Sequence, residues 1–72
     1  MRMTKQVKKM VESFNDYLYA NKIKDEYNET VLLVSNMLFA ADCYDGFNWF
    51  DESGKTVKET DENAVIQFYI TD

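Results

Sequence analysis

The chain has 72 residues, a formal net charge of −5 at pH 7, eleven aromatic residues, one cysteine and no histidine. A single cysteine excludes an intrachain disulfide, and the absence of histidine excludes a zinc site built from His and Cys side chains. A chain of this length forms one domain, residues 1–72, around one small core. We expect no cofactor, because the sequence contains neither a glycine-rich phosphate loop nor a nucleophile with a neighbouring imidazole.

A first helix is predicted to begin after Thr4, which can cap it, and to run to about Ala20. Its predicted buried side follows i, i+3, i+4 spacing and comprises Val7, Met10, Val11, Phe14, Tyr17 and Leu18. Its predicted solvent side comprises Lys5, Lys8, Lys9, Glu12, Asn15 and Asp16. We expect Asn21 to end the helix in the left-handed conformation, which asparagine tolerates.

A second, strongly apolar helix is predicted from about Val31, with Asp25 or Asn28 as its cap and Gly46 as its left-handed terminator. Two apolar rows, one of Val31, Val34, Leu38 and Ala41 and the other of Leu33, Met37, Ala40 and Tyr44, predict a broad buried side. Leu32 and Phe39 lie beside Asn36 on the side expected to face water. Either the sheet and the first helix cover this helix, or Leu32, Asn36 and Phe39, with Cys43 beside them, meet a second chain.

After Gly46 the pattern changes to that of strands. Phe47–Phe50 is the first predicted strand, 51–54 a turn with Gly54 at positive φ, and Lys55–Lys58 a short second strand. A polar turn at 60–63 precedes the last strand, Ala64–Ile70, which is rich in β-branched and aromatic residues. We expect its even-numbered residues, Ala64, Ile66, Phe68 and Ile70, to face the helices, and Val65, Gln67 and Tyr69 to face away.

These elements predict an α+β fold with the order α-α-β-β-β. Two antiparallel helices would pack on one face of a small two- or three-stranded antiparallel sheet. No apolar run follows the basic residues at the start, so we expect no signal peptide, and no run is long enough for a membrane span.

Charge is divided unevenly along the chain. Residues 1–24 carry six basic and two acidic side chains, a balance of +4, whereas residues 25–72 carry two basic and eleven acidic ones, a balance of −9. Most of the acids lie in predicted loops: Asp42, Asp45, Asp51, Glu52, Glu59, Asp61 and Glu62. They either keep the loops solvated or form a surface that docks on a basic partner, with Trp49 and Tyr69 as aromatic contacts. Their spacing lacks the Asp-x-Asp-x-Asp-Gly pattern of a calcium loop, so we expect no metal site.

The segment from Tyr44 to Asp51, Tyr-Asp-Gly-Phe-Asn-Trp-Phe-Asp, together with the acidic turn and the aromatic strand that follow, resembles small bacteriophage and prophage proteins. In those proteins a helix ends in Tyr-x-Gly-Phe and two aromatic residues follow. The resemblance covers about residues 30–70 and implies a phage setting, in the cytoplasm of a bacterial host. Small acidic phage proteins often inhibit host enzymes that have basic DNA or RNA channels.

We therefore expect a non-enzymatic acidic binding protein, a phage-derived inhibitor acting in anti-defence or host takeover. Its partner would be a host protein with a basic surface, which the acids could occupy as a mimic of nucleic acid, and it could also form a homodimer. We expect no membrane partner and no bound nucleic acid. The alternative is a small dimeric accessory protein that contacts nucleic acid through Lys5, Lys8 and Lys9 of the first helix.

Overall fold

The computed structural model describes residues 4–69, which form two helices and a two-stranded antiparallel sheet. In chain order the elements are α1 (Lys5–Ala20), α2 (Glu29–Ala40), β1 (Phe47–Phe50) and β2 (Val65–Phe68). This order confirms the α+β class. Ile70, predicted to face the helices, lies outside the described residues.

Helix α1 begins and ends where the sequence predicts, but the left-handed residue that follows it lies one position later than predicted. The backbone N–H of Val7 donates to the hydroxyl oxygen of Thr4, which caps the helix. At the other end, Ile23 N–H donates to Leu18 O at 3.0 Å, and Lys22, at φ 51°, is left-handed. The prediction that Asn21 takes this conformation was wrong, because a turn at Lys22 brings Leu18 and Ile23 together against the core, as a Schellman ending requires.

Helix α2 is shorter than predicted. Asn28 is its cap, since its side-chain oxygen accepts from the N–H groups of Thr30 and Val31. The helix ends at Ala40, with Asp42 left-handed at φ 56° and Cys43 N–H donating to Leu38 O at 2.8 Å.

The prediction that Gly46 terminates α2 was therefore wrong. An earlier Schellman ending at Asp42 places both Leu38 and Cys43 in the core, an arrangement that a helix continued to Asp45 would prevent. Gly46 instead lies at φ 97° in the connection to β1, where its carbonyl accepts from Tyr69 N–H and a Cβ atom would lie 3.7 Å from the Tyr69 ring.

Strands β1 and β2 pair in the register Phe47↔Phe68 to Phe50↔Val65. A third strand at 55–58 is not confirmed. This segment forms one bridge, between Thr56 and Phe50, and Val57 N–H donates to Trp49 O. Because it is short and polar, it gains little from further pairing along the exposed edge of β1.

The other edge of the sheet, along β2, is closed by α1. The Asn15 side chain donates to Phe68 O at 3.0 Å and accepts from Phe68 N–H at 2.9 Å, and Ile66 N–H donates to Ile23 O. Gln67 Nε2 donates to the backbone oxygen of Asn15. The prediction that Asn15 faces water was therefore wrong.

Both faces of β2 are buried, so the predicted exposure of Val65 and Gln67 was also wrong. The reason for the burial of Gln67 is the position of α1 along the edge of β2, where the Asn15 backbone oxygen accepts from Gln67 Nε2. Phe14 of α1 contacts the ring of Phe68, and the Tyr19 hydroxyl reaches the backbone oxygen of Asp51, just after β1.

The buried core comes from α1, α2, β2 and the loop after α2, and Phe47 and Trp49 of β1 pack against it half-buried. Its buried members are Val11, Leu18, Val31, Leu38, Cys43, Val65, Ile66 and Phe68. Packing of α1 directly against α2 is not confirmed, since no Cα atoms of the two helices lie within 8 Å of each other. Several side chains predicted to be buried are exposed as a result: Met10 and Tyr17 on α1, and Leu33 and Met37 on α2.

Candidate partner-binding surfaces

The acidic side chains predicted to act together lie at two ends of β1. Asp42 and Asp45 precede the strand, while Asp51 and the acids after it follow. An extended chain rises ~3.3 Å per residue, so the five steps from Gly46 to Asp51 span about 17 Å. The two groups of acids are therefore separated by about the length of β1 along the chain.

The turn at 51–54 lies beside Asn63, the last residue of the turn at 59–63. Asp51, Glu52, Ser53 and Asn63 line one shallow depression of about 260 Å³ between them. We call the five acids of these turns the turn surface: Asp51, Glu52, Glu59, Asp61 and Glu62. Glu52, Glu59 and Glu62 are exposed, and Asp51 and Asp61 are half-buried.

The two half-buried carboxylates build the turns. Asp51 Oδ1 accepts from Ser53 N–H at 2.9 Å, from Ser53 Oγ at 2.6 Å and from Lys55 N–H at 3.1 Å. The Ser53 hydroxyl and the Lys55 backbone N–H lower the pKa of the Asp51 carboxyl below its ordinary value. Asp61 Oδ1 likewise accepts from Asn63 N–H at 2.8 Å. These hydrogen bonds fix the backbone on which the exposed glutamates stand.

Tyr19 of α1 and Lys24 in the chain after it hold both turns through hydrogen bonds to the turn backbones. The Tyr19 hydroxyl donates to Asp51 O at 2.9 Å, and Lys24 Nζ donates to Asp61 O at 3.1 Å. Burial raises the pKa of Tyr19, and the negative charges of Asp51 and Glu52 raise it further. Tyr19 therefore stays a neutral donor at physiological pH, and the turns are anchored to the helix.

The two aromatic side chains predicted to assist binding lie on opposite faces of the sheet. Trp49 is half-buried, its ring is edge-on to Phe47, and its Nε1 donates to Lys24 O at 3.3 Å. Tyr69 is exposed on the other face, where its hydroxyl accepts from Asn48 Nδ2 and its ring meets Phe50 edge-on. Trp49 therefore ties β1 to the chain after α1, and the Tyr69 ring lies along β1 with contacts at both Gly46 and Phe50.

A second surface lies on α2, on the side away from the core. Its large side chains are Leu32, Leu33, Met37 and Phe39, which are 45%, 60%, 49% and 75% exposed. At 100° per residue they occupy one arc of about 160°, with Asn36 and Ala40 between them. We call these six residues the α2 face. Its predicted members Leu32, Asn36 and Phe39 are exposed, whereas Cys43 is buried and lies outside it.

Leu33 and Met37 were missed as surface residues because the sequence pattern of α2 is apolar on nearly all sides. A helix of this kind has no clear solvent side, so periodicity cannot indicate which row meets the core. In the sequence, this surface is indicated by the position of Leu32 and Phe39 beside Asn36.

The lysines of α1 differ in their exposure to solvent. Lys5 and Lys9 are exposed, Lys8 is half-buried, and Arg2 lies outside the described residues. Within residues 4–69, no three Cys, His, Asp or Glu side chains are grouped so that they could hold a metal ion. Neither helix in this range has the length and apolar content needed to cross a membrane. Comparison of the chain with protein-family models, characterised proteins and solved structures gives no match.

Proposed function

We propose that this protein is a non-enzymatic binding protein that places its turn surface on a basic site of another protein. The observation that carries the proposal is the depression that Asp51 and Glu52 of the first acidic turn line together with Asn63 of the second. Residues 51–62 contain five acidic and two basic side chains, a balance of −3 over twelve residues. A surface of one sign steers association toward a partner of the opposite sign.

The rigidity of the turns supports a binding role. Asp51 and Asp61 hold their own turns, and Tyr19 and Lys24 tie the turn backbones to the rest of the chain. Less conformational entropy is lost on binding when the contact surface is already ordered. The exposed carboxylates of Glu52, Glu59 and Glu62 are therefore presented on a preformed support.

The residue types available support a function without catalysis. The chain has no histidine, and its single thiol, Cys43, is buried in the core. Carboxylates are the remaining side chains that could act as acids or bases. Those of Asp51 and Asp61 accept hydrogen bonds from their own turns. Within this proposal the partner is a host protein with a basic nucleic-acid channel, and the protein acts as its inhibitor by occupying that channel.

The first test is an affinity pull-down of the tagged protein from a bacterial lysate, with and without nuclease. A stoichiometric protein that is retained after nuclease treatment supports the proposal and provides the partner for affinity measurements. Recovery of nucleic acid, or of proteins that disappear with nuclease, contradicts it and favours a contact through the lysines of α1.

The second test uses two matched triple variants and the captured partner. The turn variant, Glu52→Gln with Glu59→Gln and Glu62→Gln, removes three exposed charges without altering the two structural aspartates. The control, Glu12→Gln with Asp16→Asn and Asp42→Asn, removes three charges elsewhere. We expect the turn variant to bind at least ~10-fold more weakly and with a shallower salt dependence, since one tenfold step is only about 1.4 kcal/mol. Equal affinities for the two variants would rule out docking through the turn surface.

A further inference from the structure

The α2 face places four of the exposed large apolar side chains of the described chain on one side of one helix. We infer that it is the contact between two copies of this chain, paired through α2 about a two-fold axis near Asn36. The inference concerns residues outside the turn surface and does not depend on the proposed function.

The area of the α2 face fits a small interface. If a large apolar residue has ~200 Å² of surface, the exposed parts of Leu32, Leu33, Met37 and Phe39 sum to roughly 450 Å². Each partner in a standard interface buries ~800 Å², of which the apolar centre is only a part. The α2 face therefore has the size expected of the centre of an interface, with Asn36, Ala40 and neighbouring backbone adding to it.

The lack of charge on the α2 face permits a second copy as its occupant. A protein of net charge −5 is repelled by its own copy at most orientations. From Thr30 to Ala41 the chain has no charged residue, so two α2 faces can meet without opposing charges. A basic partner would gain nothing from this face, whereas an anionic membrane surface would repel the chain as a whole.

The position of Asn36 suits a two-fold axis. It lies between Leu32 and Phe39 on one side and Leu33 and Met37 on the other. A carboxamide has both donors and an acceptor, so two copies of Asn36 can bond to each other across the axis. A single polar residue in an apolar helix seam also fixes the register of a pair.

The acids nearest to the α2 face lie at the two ends of this arrangement. Glu29 lies seven residues before Asn36, about 10 Å along the axis at 1.5 Å per residue. In an antiparallel pair centred on Asn36, the two copies of Glu29 lie about 20 Å apart, beyond the Debye length of ~8 Å at physiological salt. Glu29 of one copy is level with residues 42–43 of the other, so salt that screens Glu29 from the exposed Asp42 favours the pair.

The test is sedimentation equilibrium of the full chain from micromolar to millimolar concentration. We expect the wild type to show a dimer mass at the upper end, and Phe39→Glu to remain monomeric with unchanged circular dichroism. Met10→Glu is the matched control, because Met10 is a 44% exposed apolar residue on α1. A wild type that stays monomeric at millimolar concentration, or an equal loss of association in both variants, would overturn the inference.

A second variant tests the axis itself. Asn36→Asp keeps the shape of the side chain and places two negative charges face to face, so we expect at least ~10-fold weaker self-association, partly recovered at high salt. If the α2 face instead met a basic partner, the same change would strengthen that contact. Unchanged self-association of the Asn36→Asp variant would show that the two-fold axis does not pass near Asn36.

Discussion

Asn15 closes the edge of the sheet with a single side chain. Its carboxamide has one donor and one acceptor directed at Phe68, and it takes the place that the peptide group of another strand would occupy. An unpaired strand edge invites pairing with other chains, and here a helix covers it. One residue therefore supplies both the anchoring of α1 to β2 and the protection of that edge.

We expect Asn15→Ala to destabilise the fold by about 3 kcal/mol, since it leaves the N–H and the carbonyl of Phe68 buried without partners, at ~1–3 kcal/mol each. Urea denaturation monitored by Trp49 fluorescence measures the change. Ser13→Ala, at an exposed position of the same helix, serves as the control and should change the free energy of unfolding by less than ~0.5 kcal/mol. Similar losses for the two variants would mean that the Asn15 bonds to Phe68 contribute little.

Asp51 gives the fold a dependence on acid. Its pKa is lower in the folded chain than in the unfolded chain, because the Ser53 hydroxyl and the Lys55 N–H bind the ionised carboxylate. Its contribution is therefore present above the unfolded pKa of about 4 and is lost as the pH falls through the folded pKa.

We accordingly expect the stability advantage of the wild type over Asp51→Asn, measured as the urea midpoint, to be largest near neutral pH and to shrink below about pH 4. Ser53→Ala, which removes the first of the two donors, should reduce the same pH dependence. An advantage that stays constant down to strongly acidic pH would show that the charge of Asp51 is not what stabilises the turn.

The role of a single residue could be predicted from the sequence where its hydrogen-bond partner is only a few residues away in the chain. Thr4 and Asn28 cap helices a few residues away, and both predictions are confirmed. Asn15 was assigned to solvent because its partner, Phe68, is 53 residues away in the chain. Spacing along one helix cannot show that a polar residue meets a strand edge.

At the scale of elements, both helices end in the same way. Lys22 and Asp42 are left-handed residues that are not glycine, and each precedes an apolar residue that returns to the core, Ile23 or Cys43. A side chain with a Cβ atom costs ~1–2 kcal/mol in this conformation. Each helix ends where it does because the residue after the turn packs in the core. The left-handed residue at the turn is strained.

Glycine at either turn should therefore stabilise the protein. We expect Lys22→Gly and Asp42→Gly each to raise the free energy of unfolding by about 1 kcal/mol, after allowance for the greater freedom of glycine in the unfolded chain. Asn21→Gly, one residue earlier at φ −100°, should be neutral or destabilising. Thermal denaturation of the three variants measures this, and stabilisation by Asn21→Gly alone would place the left-handed residue at Asn21.

The existence and type of the four elements could be predicted from periodicity, since the apolar spacing is clear in α1 and the β-branched and aromatic residues are clear in β2. The length of α2 and the third strand could not. Helix formation by residues 41–45 competes with burial of Cys43, and pairing by residues 55–58 competes with solvation of a polar segment. Both outcomes depend on tertiary packing that the local pattern does not contain.

For the whole molecule, the position of α1 at the sheet edge determines which surfaces remain open. Because α1 lies along β2, the apolar residues of α2 divide between a buried row, Val31 and Leu38, and the exposed α2 face. The acids divide in the same way, since β1 separates Asp42 and Asp45 from the turn surface. The sequence could predict that one surface is acidic and another apolar. It could not predict which residues form each surface, because that follows from the packing.

The thermal stability of the whole molecule should depend on its concentration. A 72-residue chain has a small core that rarely supplies more than ~3–5 kcal/mol. Only the folded chain can pair through the α2 face, so mass action adds to stability as concentration rises.

We expect the wild-type Tm to increase between micromolar and millimolar concentration, and to increase further with salt, which screens the repulsion between two chains of net charge −5. Phe39→Glu should show the same Tm at all concentrations, whereas Met10→Glu should follow the wild type. A wild-type Tm independent of concentration would mean that the folded monomer is stable without a partner on α2. Binding to a basic protein through the turn surface weakens with salt, so the opposite signs of the two salt effects allow each surface to be tested separately.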